Sequence, residues 1–158
     1  MKRLLSVWLS VVPIAALFAS LIGAQPASQS PFEMIVNEYF KIHDALANDT
    51  TKGVDAAAQE IARLASEAQP KSPGKNPDFG AIKGAATSLQ GGKSLEQARE
   101  QFFQLSKPII AQLKRSPSAR KPAFAYKCSM ANKTWVQGQK EVRNPYYGKS
   151  MQKCGEPL

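Results

Sequence analysis

SLEQAREQFFQLSKPIIAQLKR, residues 94–115, carries the signal that decides the fold. Its apolar residues Leu95, Ala98, Phe102, Leu105, Ile109 and Leu113 recur at intervals of three and four, the period of one helical face. Ser94 and Gln97 stand three apart at its start, the spacing of a capping box. Pro108 lies inside the pattern, where it removes a backbone donor, so a bend is expected near Gln104.

The same period runs upstream. Ile35, Tyr39, Ile42 and Leu46 form one stripe of a first helix over about 32–47, and Val36, Phe40 and His43 an adjacent one. Two such stripes predict a helix packed on a wide face. Asn48-Asp49-Thr50-Thr51 is expected to stop it and cap the next helix. That second helix buries Val54, Ala57, Ala58, Ile61, Leu64, Ala65 and Ala68, whose alanines favour helix and close approach. Residues 69–75, rich in Pro and Gly, break the period. Asn76-Pro77 reads as an N-cap followed by proline at the first helical position. A short third helix then uses Phe79, Ile82, Ala86 and Leu89 and ends at Gly91-Gly92. The expectation is a mainly α fold, an antiparallel helical bundle of about four helices over 32–115, within one domain spanning 32–158.

The chain has 158 residues, 21 Lys and Arg against 12 Asp and Glu, and a formal charge of +9. It opens with Lys2 and Arg3, an apolar run from Leu4 to Ile22, and the small residues Gly23-Ala24. This is the pattern of a signal peptide over residues 1–24, with the mature chain starting at Gln25 and reaching the periplasm. An uncleaved inner-membrane anchor is the alternative, because the run approaches the roughly 20 residues that span a bilayer. Residues 25–31 read as a polar tail. Without Lys2 and Arg3 the charge is +7, which suits weak contact with an anionic envelope surface. The basic residues are scattered, and export is the wrong compartment for nucleic acid, so nucleic-acid binding is not expected.

Beyond a linker over 116–123, the helical period fades. Phe124-Ala125-Tyr126 and Thr134-Trp135-Val136-Gln137 are strand-like but read as too short for a sheet. A hairpin or an irregular arm over 124–158 is expected, folded across the bundle. Trp135 is read as an anchor of that arm. Asn144-Pro145-Tyr146-Tyr147-Gly148 is a turn in which proline fixes one backbone angle and glycine permits a positive one. It returns Met151 and Cys154 towards Cys128 and Met130.

Those four sulfurs are the whole chemistry the sequence offers. No Ser–His–acid set, carboxylate pair or phosphate loop is present, so an enzyme is not expected. Thiolate and thioether are soft ligands, so a metal held by Cys128, Met130, Met151 and Cys154 would be soft and monovalent, Cu(I) or Ag(I). His43 becomes a fifth ligand if the arm folds onto the first helix; otherwise it is a hydrogen-bonded core residue. The competing reading is a disulfide between Cys128 and Cys154, favoured by an oxidising compartment and contributing about 3 kcal/mol.

Residues 126–156 also resemble a known family: Cys128-x-Met130, then Trp135-Val136-Gln137, then Glu141-Val142-Arg143-Asn144-Pro145-Tyr146-Tyr147-Gly148-x-x-Met151-x-x-Cys154-Gly155-Glu156. The pattern is similar to a bacterial exported domain of unknown function. That domain also occurs as the C-terminal domain of Cus-type copper/silver efflux adaptors. Ser129 stands where that family has proline. Tyr39-Phe40-x-x-His43-x-Ala45-Leu46 and Ala98-Arg99-x-x-Phe102-x-x-Leu105-Ser106 resemble its helical part. The resemblance implies a helical domain that handles a heavy metal, copper first, in resistance or efflux. Its partners would be the metal ion and an efflux adaptor or another envelope protein. The alternative is a disulfide-stapled interaction domain of the cell envelope that binds no metal.

Overall fold

A computed structural model describes residues 29–69, 77–115 and 122–158. The expected signal peptide over residues 1–24, residues 25–28 of the expected tail, most of the expected loop at 69–75, the expected Asn76 cap and residues 116–121 of the expected linker lie outside the described residues. Four helices, α1 (Pro31–Ala47), α2 (Val54–Ala68), α3 (Pro77–Leu89) and α4 (Leu95–Arg115), precede three strands, β1 (Phe124–Cys128), β2 (Lys133–Gln137) and β3 (Glu156–Pro157).

The helices begin where side chains satisfy their first amides. Ser30 caps α1: its hydroxyl accepts from Glu33 N and the Glu33 carboxylate accepts from Ser30 N. Ser94 and Gln97 do the same for α4. The second helix departs from expectation. Its N-cap is Gly53 at φ +81°, with no side-chain cap, and the Asn48–Thr51 run only ends α1. Gly91 and Gly92, at φ +87° and +63°, turn the chain between α3 and α4, a backbone region that disfavours any Cβ. Past Pro108, α4 continues to Arg115.

Each helix packs chiefly against its neighbour in the chain, so the bundle closes in the order α1–α2–α3–α4. The core is the set of stripes read from the sequence. Ile35, Tyr39, Ile42 and Leu46 from α1, Ala58 and Ile61 from α2, Ile82 and Ala86 from α3, and Ala98, Phe102, Leu105 and Ile109 from α4 are all fully buried. Where α1 meets α4, Tyr39 stacks on Phe102 at 4.7 Å between ring centroids. The Tyr39 hydroxyl lies 2.7 Å from Ser106 Oγ, and Ser106 in turn donates to Phe102 O. Burial pushes the Tyr39 phenol well above its usual pKa.

The arm is more regular than expected. Its short pieces form an antiparallel sheet in the order β2-β1-β3, with Cys128 opposite Lys133 and Lys127 opposite Glu156. Two observations account for the difference. β1 is paired along both edges, and the β2 amide of Val136 donates to Tyr39 Oη of α1 at 3.2 Å. Strands of five residues persist because the bundle and the chain's last residues cover them. Among the described residues, no helix is long and apolar enough to cross a membrane.

Candidate functional site

The arm docks over the seam between α1 and α4 through aromatic rings. Trp135 is fully buried, stacked on Tyr126 with centroids 5.7 Å apart and edge-on to Tyr146 at 5.9 Å. Tyr146 also meets Phe102 and Phe103 of α4, and its hydroxyl donates to Thr134 O at 2.6 Å. The indole N–H donates to Gln137 Oε1 at 3.0 Å, and the same oxygen accepts from Arg143 N at 3.0 Å. Gln137 Nε2 donates to Gln139 O and Glu141 O, so this buried amide holds the loop between β2 and the turn. Trp135 therefore anchors the arm.

Asn144 organises the turn. It is fully buried; its Oδ1 accepts from Tyr146 N at 2.8 Å and Tyr147 N at 3.3 Å. Its Nδ2 donates to Cys154 O at 2.8 Å and its backbone N to Gln152 O at 2.7 Å. One side chain thus closes the turn and fixes the strand of backbone that carries Cys154. Arg99 of α4 secures Pro145 from below: Nε donates to Pro145 O at 2.8 Å, while Nη2 reaches Leu46 O and pairs with Asp49 Oδ1 at 2.6 Å. Asp49 accepts from Lys149 N through its other oxygen. Gly148, at φ +56°, lies so close that a Cβ there would collide with the Asp49 carboxylate. The hydrogen bond from Arg99 holds the Asp49 carboxyl below its usual pKa.

This framework brings the cysteines together. Cys128 Sγ and Cys154 Sγ are 2.8 Å apart, 26 positions apart in the chain, and both are free thiols. Cys128 ends β1 and is fully buried; Cys154 follows a turn and is half-buried. Gly155 next to it packs flat on Trp135, where a Cβ would sit 2.6 Å from the indole. Burial resists ionisation of Cys128, but hydrogen bonds from Cys154, the backbone of Ala131 and Met130 and the Asn144 side chain outweigh it and lower its pKa. The bond to Cys128 raises that of Cys154.

Met130, on the β1–β2 turn, is 66% exposed. Met151 is half-buried and precedes Cys154 by one turn, accepting its backbone N–H. His43 does lie beneath the arm, 2% exposed, but its ring faces other partners. Nε2 donates to Arg143 O at 2.8 Å, and Nδ1 is 3.2 Å from Asp44 Oδ1. Among the described residues, no three or more His, Cys, Asp and Glu side chains converge as a metal site.

Arg99, Asp49 and Gln137 are the positioning residues the sequence reading did not single out. Arg99 had a signal: it falls on the apolar stripe of α4, four after Leu95 and three before Phe102, where a charge needs a partner. Asp49 had none, since it reads as an ordinary helix-end residue.

A family model described as a protein of unknown function (DUF3347) matches residues 35–121, more than half of the chain. The match covers α2 to α4 and α1 from Ile35 on, and stops before both cysteines. No curated protein and no solved structure matches the chain.

Proposed function

The chain belongs to the DUF3347 family, whose function is unknown, and from that premise we propose that it is an exported, non-enzymatic domain that binds a soft heavy-metal ion, copper first, through the sulfurs of its C-terminal arm. The observation that carries the reading is the juxtaposition of Cys128 and Cys154 at 2.8 Å, built by Asn144 and Trp135 rather than by chain proximity. The donors fit such an ion by type. Two thiols, one of lowered pKa, have the thioethers of Met130 and Met151 two and three positions away in sequence, and no harder donor set assembles among the described residues. Met130 stands free in solvent with a flexible thioether, suited to receive an ion at the surface. With its ring nitrogens on Arg143 and Asp44, His43 serves better as a docking residue than as a ligand or general base.

The setting follows from the arm's resemblance to the C-terminal domain of Cus-type copper/silver efflux adaptors. It makes metal resistance or efflux the context, the periplasm the location, and an efflux adaptor or another envelope protein the partner. The apolar segment ahead of Gln25 supports export. Titration of the reduced chain with Cu(I) against a competing chelator tests the proposal. Cys128→Ser and Cys154→Ser should each weaken binding strongly, since thiolates are the strong ligands. Unchanged affinity in both variants would overturn the site.

A second reading is favoured by the same sulfur contact: a disulfide-stapled envelope domain that binds no metal. Thiol counting on the denatured chain without reductant, beside metal analysis, separates the two.

A further inference from the structure

We propose that Cys128 and Cys154 are an exchangeable dithiol–disulfide pair with fixed roles, in which Cys154 meets an external thiol or disulfide and Cys128 is the buried partner. The inference goes beyond metal binding and does not need it; only its consequence for copper rests on that reading.

Two geometric facts carry it. The sulfurs lie 2.8 Å apart, within reach of bond formation. Their access differs. Cys128 is fully buried at the end of β1, beneath the Ser129–Asn132 turn, whereas Cys154 is half-buried on backbone outside any helix or strand. Exchange proceeds at the sulfur that can be reached, by attack in line with the bond that breaks. An incoming sulfur reaches Cys154 from solvent; to reach Cys128 it would have to enter the core.

Written for reduction by an external dithiol, one thiolate attacks Cys154 Sγ and forms a mixed disulfide. The Cys128–Cys154 bond breaks, and its electron pair leaves on Cys128 Sγ as a thiolate. The second thiolate of the dithiol then attacks the external sulfur of the mixed disulfide. That bond breaks and Cys154 departs as a thiolate, taking a proton from solvent. The dithiol loses two electrons and becomes a disulfide; the pair gains the same two. Oxidation by an external disulfide is the reverse. In the oxidised state both thiolates are gone and only the thioethers of Met130 and Met151 remain, so copper affinity falls.

The test uses the full chain and glutathione, with no metal present. Cys128→Ser exposed to oxidised glutathione should gain one stable glutathione adduct, mapped by mass to Cys154. Cys154→Ser should react at least about tenfold more slowly, because Cys128 must wait for local opening. Wild type should lose two thiols and retain no adduct, since Cys128 displaces the glutathione. Limited alkylation of native reduced wild type gives an independent readout that needs no variant, and Cys154 should be labelled first. Equal labelling of both sulfurs, faster reaction at Cys128, or adducts persisting on wild type would each overturn the proposal. A chain that exchanges as described yet shows no copper affinity keeps this inference and defeats the function proposed above.

Discussion

Asn144→Ala should undock the arm more than any single loss of a contact on the bundle surface. The substitution removes, from a fully buried side chain, an acceptor shared by Tyr146 N and Tyr147 N and a donor to Cys154 O. Leaving a buried backbone group without its partner costs about 1–3 kcal/mol. The bond to Tyr147 N is long at 3.3 Å and counts for little, so two orphaned groups, Tyr146 N–H and Cys154 C=O, set the scale. The expected loss is about 2–6 kcal/mol. It should fall on the arm before the helices, because α1–α4 bury their own stripes without Asn144. Denaturant unfolding of the chain from Gln25, in which Trp135 is the single tryptophan, followed by its fluorescence and by far-ultraviolet circular dichroism, separates the two. Trp135 should report an earlier transition while helical signal persists. Disulfide closure between Cys128 and Cys154 should slow in the same variant, because Asn144 fixes the Cys154 backbone. Gln139→Ala, on the exposed loop, is the control and should change stability by less than about 0.5 kcal/mol. A cost below about 1 kcal/mol for Asn144→Ala, or coincident transitions by both probes, would refute the reasoning.

Leu105→Ala, in the fully buried stripe of α4, should destabilise by about 2–5 kcal/mol in denaturant unfolding; less than about 1 kcal/mol would mean the stripe bears little of the core. The Asp49–Arg99 pair predicts a pH dependence. The Asp49 pKa is lowered in the fold, mainly by the hydrogen bond from Arg99, so its stabilisation is complete above the unfolded carboxyl value near about 3.9 and is lost as pH falls through the lower folded value. Asp49→Asn should therefore flatten the acid limb of the stability profile, and an unchanged limb would count against the clamp. Intact-mass measurement on exported material should give a chain beginning at Gln25; a mass that retains residues 1–24 would favour a membrane anchor.

The helices were legible from residues alone because their signals are local. A stripe at three and four is written within twenty residues, and a capping box within four, so the order of Ile35, Tyr39 and Ile42 specifies a buried face whatever lies elsewhere. The meeting of Cys128 with Cys154 was also legible in outline, from a turn placed between two Cys–Met sets. The sheet was not. β3 is two residues long, with no periodicity to find, and exists because β1 has a free edge for it. Nor could the docking groups be assigned by type. Arg99 to Pro145, His43 to Arg143 and Tyr39 to Val136 are hydrogen bonds across 46, 100 and 97 positions. Nothing within a helix's own repeat encodes which distant carbonyl or amide will lie opposite such a side chain. Sequence determined the four helices, their buried faces and the sulfur content of the arm. Tertiary structure alone decided which sulfur is buried and which is reachable, because that depends on the bundle seam, the aromatic ring stack and Asn144 acting on the arm together.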